Sequence, residues 1–264
     1  VMLWVAILAT GAGLGLAAYQ LARVRRRGDE RGTKAAITAW APQWCLYYNG
    51  TRYGSYQIRM WLPYLARTGR RGFLLIRDPR FLAEAAALSD LPVVLAHRVE
   101  ALEWALAPTV RAVFYVNNDA RNVDGVRFGG LTHVHLGHGD SDKPASYAHT
   151  TAMFDKIFVA GQAGVDRFAR HGVLVPREKF VLVGRPQVEA IEVRAATATL
   201  PEHPVVLYAP TWRGSLQDSL FGSLRAGERI VSALVDAGAT VWFRPHPYSV
   251  RDAESRVLIA RIDA

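Results

Sequence analysis

Residues 73–95 read FLLIRDPRFLAEAAALSDLPVVL, and this stretch decides the fold. Phe73 to Ile76 is a continuous apolar run of strand length. Asp78-Pro79 stops it, because proline has no N–H and pushes the residue before it out of the helical region. Phe81 to Leu88 then places apolar and alanine residues at helical spacing. Leu91 to Leu95 returns to strand character. Short strands that are apolar on both faces and separated by helices belong to a parallel sheet covered on both sides.

The same grammar extends outward. Trp44 to Tyr48 reads as a strand ending in Asn49-Gly50, with a helix pattern from Ser55 to Thr68. A helix pattern from Val99 to Leu106 precedes strands at 110–116, 131–136, 156–159 and 180–183. The expected fold class is a doubly wound α/β domain. A second unit begins near Pro204, with strands at 205–208 and 240–243 around a helix from Glu228 to Ala237. It spans about 60 residues, short of the roughly 100 usual for a doubly wound domain, so an incomplete second domain is expected. The domain plan is therefore 1–22, 23–42, 43–190, a connection at 191–203, and 204–264.

The chain has 264 residues, half of them hydrophobic and 21% charged, which excludes a disordered or fibrous protein. Its net charge is +9, and only Lys34, Lys143, Lys156 and Lys179 of the 32 basic residues are lysine. The charge is uneven. Residues 1–22 carry none and residues 23–34 carry six basic and two acidic groups. A nucleic-acid binder concentrates positive charge on its folded domain, so no nucleic-acid partner is expected. The single cysteine, Cys45, excludes an internal disulfide and any site needing several cysteines.

Val1 to Ala22 is an uncharged run long enough to cross a bilayer as a helix. Arg23, Arg25, Arg26 and Arg27 follow it, the reverse of the order in a cleaved signal peptide. The expectation is a membrane-spanning helix, a basic juxtamembrane linker at 23–42, and a domain on the cytoplasmic face of the cell membrane. Gly13, Gly15 and Ala18 fit a dinucleotide fingerprint superficially. They lie within one apolar run, where small residues serve helix packing in a membrane.

Ligands of open parallel sheets bind beyond the carboxyl ends of the strands. Three polar clusters follow such ends: His138-Gly-Asp-Ser-Asp-Lys143, Ala209-Pro-Thr-Trp-Arg-Gly214 and Arg244-Pro-His-Pro247. Each joins a polar group to the glycine or proline of a tight turn. The plain alternative is a set of capping turns with solvated side chains. His133, His135, His138 and Asp140 also approach a metallo-hydrolase ligand string, but Gly137 stands where a ligating aspartate belongs, and no metal is expected. Trp40, Trp44, Trp61, Trp104 and Trp242 read as core residues. His97, His149, His171 and His203 read as solvated. Asn117-Asn118-Asp119 could line the cleft but reads first as a helix cap.

At the three clusters the chain resembles the CDP-glycerol glycerophosphotransferase family of teichoic-acid polymerases and primases. The His-Gly-x-x-x-Lys element is matched by His138, Gly139 and Lys143. The Tyr-Ala-Pro-Thr-Trp-Arg string is matched in full by Tyr208 to Arg213, and basic-x-His-Pro by Arg244, His246 and Pro247. Departures fall at Asp140-Ser141-Asp142 and in Gly184-Arg-Pro-Gln-Val-Glu189, where Gln187 and Glu189 replace the family's Arg and Asp. The resemblance implies a GT-B-like pair of facing Rossmann-type domains. It implies transfer of glycerol-phosphate, or a related alditol-phosphate, from a CDP-activated donor to a hydroxyl of a membrane-linked cell-wall polymer. His138 would be the general base. His246 would hold the donor diphosphate with Thr211 and Arg213, while Gly139, Lys143 and Arg244 complete the substrate-binding set. No cofactor is implied. A sugar transferase of similar fold using a nucleotide sugar, and a non-catalytic membrane-anchored binding module, are the alternatives.

Overall fold

The computed structural model describes residues 30–50, 54–106, 108–189, 191, 201–214 and 221–263. The apolar run 1–22 and the connection 192–200 lie outside them. Among the described residues no helix is long and apolar enough to cross a membrane. The chain divides into two compact units after Glu189.

The first unit runs α1 (Glu30–Trp40), β1 (Trp44–Tyr48), α2 (Ser55–Arg59), α3 (Leu62–Ala66), β2 (Gly72–Ile76), α4 (Leu82–Ala86), β3 (Val93–Leu95), α5 (Glu100–Ala105), β4 (Ala112–Tyr115), α6 (Val123–Val126), β5 (Thr132–His135), β6 (Lys156–Val159), α7 (Gln162–Arg170) and β7 (Phe180–Leu182). All seven strands are parallel, in the order β3-β2-β1-β4-β5-β6-β7. This is the doubly wound α/β sheet that the alternating pattern predicts. Every residue of β1 and β2 is buried. Each large aliphatic side chain so placed contributes roughly 1.5–3 kcal/mol.

The period-two alternation of the strands sorts the core into two layers. Leu46, Tyr48, Leu74 and Ile76 face Ile58, Trp61, Leu62, Leu65, Phe81 and Leu82. Cys45, Tyr47, Phe73, Leu75 and Tyr115 face Ile37, Leu102, Phe154 and Phe168. The connections from β1 to β3 thus cover one face, and those after β3 cover the other. The winding changes sides between β1 and β4, which are neighbours.

Several local expectations change. The helix pattern over 55–68 forms two short helices, because Pro63 lies in the first turn of α3 and cannot continue α2. Residues 30–40, placed in a linker by composition, form α1, seated in the core by fully buried Ile37. The second unit contains β8 (Val205–Tyr208), α8 (Gly227–Asp236), β9 (Thr240–Phe243) and α9 (Ala253–Asp263), with β8 and β9 parallel. Trp242 is not a core residue: it is 65% exposed. It shares a face with Val205, Leu207 and Thr240, and that face of the two-stranded sheet is exposed, whereas Tyr208 on the opposite face is buried. Trp44 and Trp61 are buried, Trp40 and Trp104 pack on the core, and His97, His149, His171 and His203 are exposed, as their contexts predict.

Candidate functional site

In the first unit the point where the winding reverses lies beyond the carboxyl ends of β1 and β4. Crevices of open α/β sheets form there. Asn49 follows β1 and Val116-Asn117 follow β4. A groove lined by Gln43, Arg71, Thr109 and Arg111 opens at the opposite, amino-terminal edge.

His138 reaches the reversal point from β5. After His135 the chain turns at Gly137, whose φ of 67° is a left-handed conformation that glycine adopts without strain. The turn is pinned by Trp61, whose Nε1–H donates to the Gly137 carbonyl at 2.6 Å. His138 is thereby brought over the end of β4, with Nδ1 2.6 Å from the Val116 carbonyl oxygen. A carbonyl only accepts, so Nδ1 carries the proton and Nε2 of the neutral ring is an acceptor. Burial pushes the imidazole below its ordinary pKa, against the opposing pull of the Val116 hydrogen bond. The result is a neutral ring with a defined basic nitrogen.

Gln57 on α2 faces that nitrogen, with its Nε2 3.5 Å from Nε2 of His138. Gln57 is buried, and its Oε1 accepts from Nδ2 of Asn117 at 3.3 Å. Asn117 Nδ2 also lies 3.3 Å from the Asn49 carbonyl. Asn117 was expected in a cap; the cap is made by Asp119, which accepts from the Arg121 N–H at 2.9 Å. The remainder of the His138 loop is held by Arg167 on α7. Its guanidinium pairs with Asp140 and, at 2.8 Å, with Asp142. Gly139 is exposed. Lys143 is half-buried, and burial lowers the pKa of its ammonium.

The neighbouring histidines are not ligands of a common ion. His133 spends both ring nitrogens internally: Nε2–H donates to the Phe128 carbonyl at 3.1 Å and Nδ1 accepts from the Tyr115 hydroxyl at 3.0 Å. His135 is buried against Phe154, with ring centroids 5.1 Å apart, and burial pushes its pKa down to about 3. Among the described residues no group of three His, Cys, Asp or Glu side chains is placed to hold a metal ion.

The second unit brings together the other four predicted residues. Tyr208 pairs with Phe243, so the turns after β8 and β9 leave the same edge of the sheet side by side. The Arg244 N–H donates to the Tyr208 carbonyl at 2.9 Å. Trp212 stacks over His246 with centroids 6.1 Å apart, and Tyr248 meets the Trp212 ring edge-on. Nδ1 of His246 accepts from the Tyr248 N–H at 3.1 Å. Its proton is therefore on Nε2, the reverse of the tautomer in His138. Thr211 is half-buried beside Trp212. Arg213 pairs with Glu254 at 3.1 Å, and Arg225 pairs with the same carboxylate at 2.8 Å. Arg225, and with it Arg213, hold the Glu254 carboxyl below the ordinary range.

Sequence reading missed Gln57, Arg167 and Glu254, and for Asn117 it favoured a helix cap over the cleft. None lies in a recognisable motif. Each is brought in by a helix or turn distant in the chain from the residue it contacts.

No protein-family model matches the chain, and no curated protein does. Among solved structures, a glycosyltransferase from Rickettsia africae ESF-5 is similar over 84% of this chain and 71% of that one, at 11% identity and a TM-score of 0.41.

Proposed function

We propose that the protein transfers glycerol-phosphate, or a related alditol-phosphate, from a CDP-activated donor to a hydroxyl of a membrane-linked polymer, releasing CMP. The observation that carries this reading is the tautomer of His138, a neutral imidazole whose Nδ1–H is committed to Val116 and whose Nε2 is left basic. Tyr208 to Arg213, matching the family string in full, supports the choice of donor.

In this reaction Nε2 of His138 takes the proton of the acceptor hydroxyl. The oxygen attacks the phosphorus that carries the alditol. The bond from that phosphorus to the bridging oxygen breaks, and its electron pair leaves with CMP. Such transfer rests mainly on positioning and charge stabilisation. His246 suits the second task, because its Nε2–H is a donor to a phosphate oxygen. Arg213, Arg244 and Lys143 supply positive charge, and Thr211 a hydroxyl. We place the reaction on the cytoplasmic face, on the ground that the uncharged run 1–22 is followed by the arginines of 23–27.

The test is calorimetric donor affinity beside steady-state turnover, with CDP-glycerol and nucleotide sugars as competing donors. His138→Ala is expected to lower turnover about 10²–10⁴-fold with donor affinity unchanged. His246→Ala is expected to weaken CDP-glycerol binding by about one to two decades, the value of a charge-assisted hydrogen bond of roughly 1.5–3 kcal/mol. Undiminished turnover in His138→Ala removes the base. Turnover with a nucleotide sugar alone reassigns the donor.

A further inference from the structure

Gln57 and His138 meet nitrogen to nitrogen, a contact that is favourable in only one protonation state. The amide of Gln57 is not free to present its oxygen to the imidazole. Asn117 Nδ2 is a donor only, and it engages Oε1 of Gln57 at 3.3 Å. With Oε1 so occupied, the Gln57 NH₂ group is turned toward the Tyr56 hydroxyl at 3.4 Å and toward His138 Nε2 at 3.5 Å. An NH₂ group attracts a ring nitrogen that has a lone pair and repels one that carries a proton. Gln57 is 3% exposed and His138 is partly buried, so solvent screens this preference only weakly.

We propose that Gln57 is a positioning residue whose amide, oriented by Asn117, holds Nε2 of His138 in its unprotonated, basic form. The inference rests on the reading of His138 as the base and adds to it the residue that sets its protonation. No carboxylate is needed to orient the ring, since the Val116 carbonyl at 2.6 Å does so from the other side. Among the described residues, the titratable groups recorded against His138 are Tyr56, whose ring meets it edge-on at 5.9 Å, and His135 at the end of the preceding strand, β5. Just beyond β4, the Val116 carbonyl contacts it. Burial already disfavours the imidazolium, and the Gln57 amide adds a contact at Nε2 that favours the same unprotonated state. In turnover the acceptor hydroxyl takes over the hydrogen bond to Nε2, and Gln57 discriminates against the imidazolium until that proton is transferred.

Gln57→Glu tests this without a change of shape. A glutamate accepts from Asn117 and from a protonated Nε2 alike, so the variant inverts the preference. The His138 ring is followed by NMR titration of the full chain, with His138→Ala used to assign the signal. Gln57→Glu is expected to raise the His138 pKa by about one to three units and to move the acid limb of the pH–rate profile upward equally. Asn117→Leu frees the amide to turn its oxygen toward His138. It is expected to move the titration the same way by a smaller amount, which keeps the test available if Gln57→Glu folds poorly. An unmoved His138 titration in folded Gln57→Glu, or in Asn117→Leu, overturns the proposal. A titration that moves while the pH–rate profile stays fixed supports the amide lock and refutes His138 as the base.

Discussion

His135 makes the first unit sensitive to acid. Its ring is buried, its Nε2 has no hydrogen-bond partner among the described residues, and its pKa is pushed down to about 3 from an ordinary 6.5. The main cause is burial, which disfavours the imidazolium, with the nearby His138 adding to it. A group that resists protonation when folded binds more protons when unfolded. Stability is therefore fully present above about pH 6.5 and is lost as the pH falls toward 3. One group changes stability by about 1.4 kcal/mol per pH unit across that window. By about pH 4.5 the loss is roughly 3 kcal/mol, a large share of the 5–15 kcal/mol of an ordinary domain. His135→Phe keeps a ring against Phe154 and cannot be protonated, so its stability is expected to lack this contribution. The assay is hydrogen exchange of the β1 and β4 amides from pH 7 to 4, corrected for intrinsic rates, which reports opening of the first unit alone. His138 contributes to both proteins. The gap between variant and wild type is expected to widen in the variant's favour by about 1.4 kcal/mol per unit below pH 6. Parallel curves refute the assignment of acid sensitivity to His135.

Two further outcomes follow from the turns that carry the site. In Arg167→Ala the Asp142 carboxyl, held below its usual range chiefly by the Arg167 hydrogen bond, is expected to return upward in an NMR titration, and amide exchange across 139–143 to accelerate; an unchanged Asp142 titration refutes the clamp. In the second unit a Cβ on Gly222 would lie 2.7 Å from the Thr211 carbonyl oxygen, too close for either backbone to remain in place. Gly222→Ala is expected to cost that unit about 1–3 kcal/mol in thermal unfolding and to shift the Trp212 indole resonance, whereas an undisturbed indole signal would show that the turn does not depend on this approach.

The parallel sheet was legible in the sequence because both its faces are buried. Where every residue of a strand must be apolar, as in Trp44 to Tyr48 and Gly72 to Ile76, the strand appears as a continuous run bounded by turns. The helices were less legible. Those between β1 and β3 are only one or two turns long, and Pro63 divides a pattern that periodicity alone joins. α1 begins among charged residues and is seated by Ile37 rather than by a full apolar stripe. Trp242 shows the converse limit. Apolar context along the chain places it in a strand, but only the pairing of β8 with β9 decides which side it faces.

The site divides along the same line. The strand-end turns that carry the candidate residues His138, Thr211, Arg213, Arg244 and His246 were legible because glycine or proline after a short apolar run marks a tight turn at a strand's carboxyl end. The protonation states of the histidines were not. They depend on which backbone group each ring meets: a carbonyl of a neighbouring strand for His138, an N–H two residues along for His246. A carbonyl fixes the proton on the nitrogen it touches and leaves the other basic; an N–H does the reverse. Two histidines of the same residue type are in this way made into an acceptor in one unit and a donor in the other, the states that the proposed proton removal and phosphate binding call for. No spacing in the chain encodes that difference for His138. Its partner, Val116, lies 22 residues away, and only the pairing of β4 with β5 brings the two together.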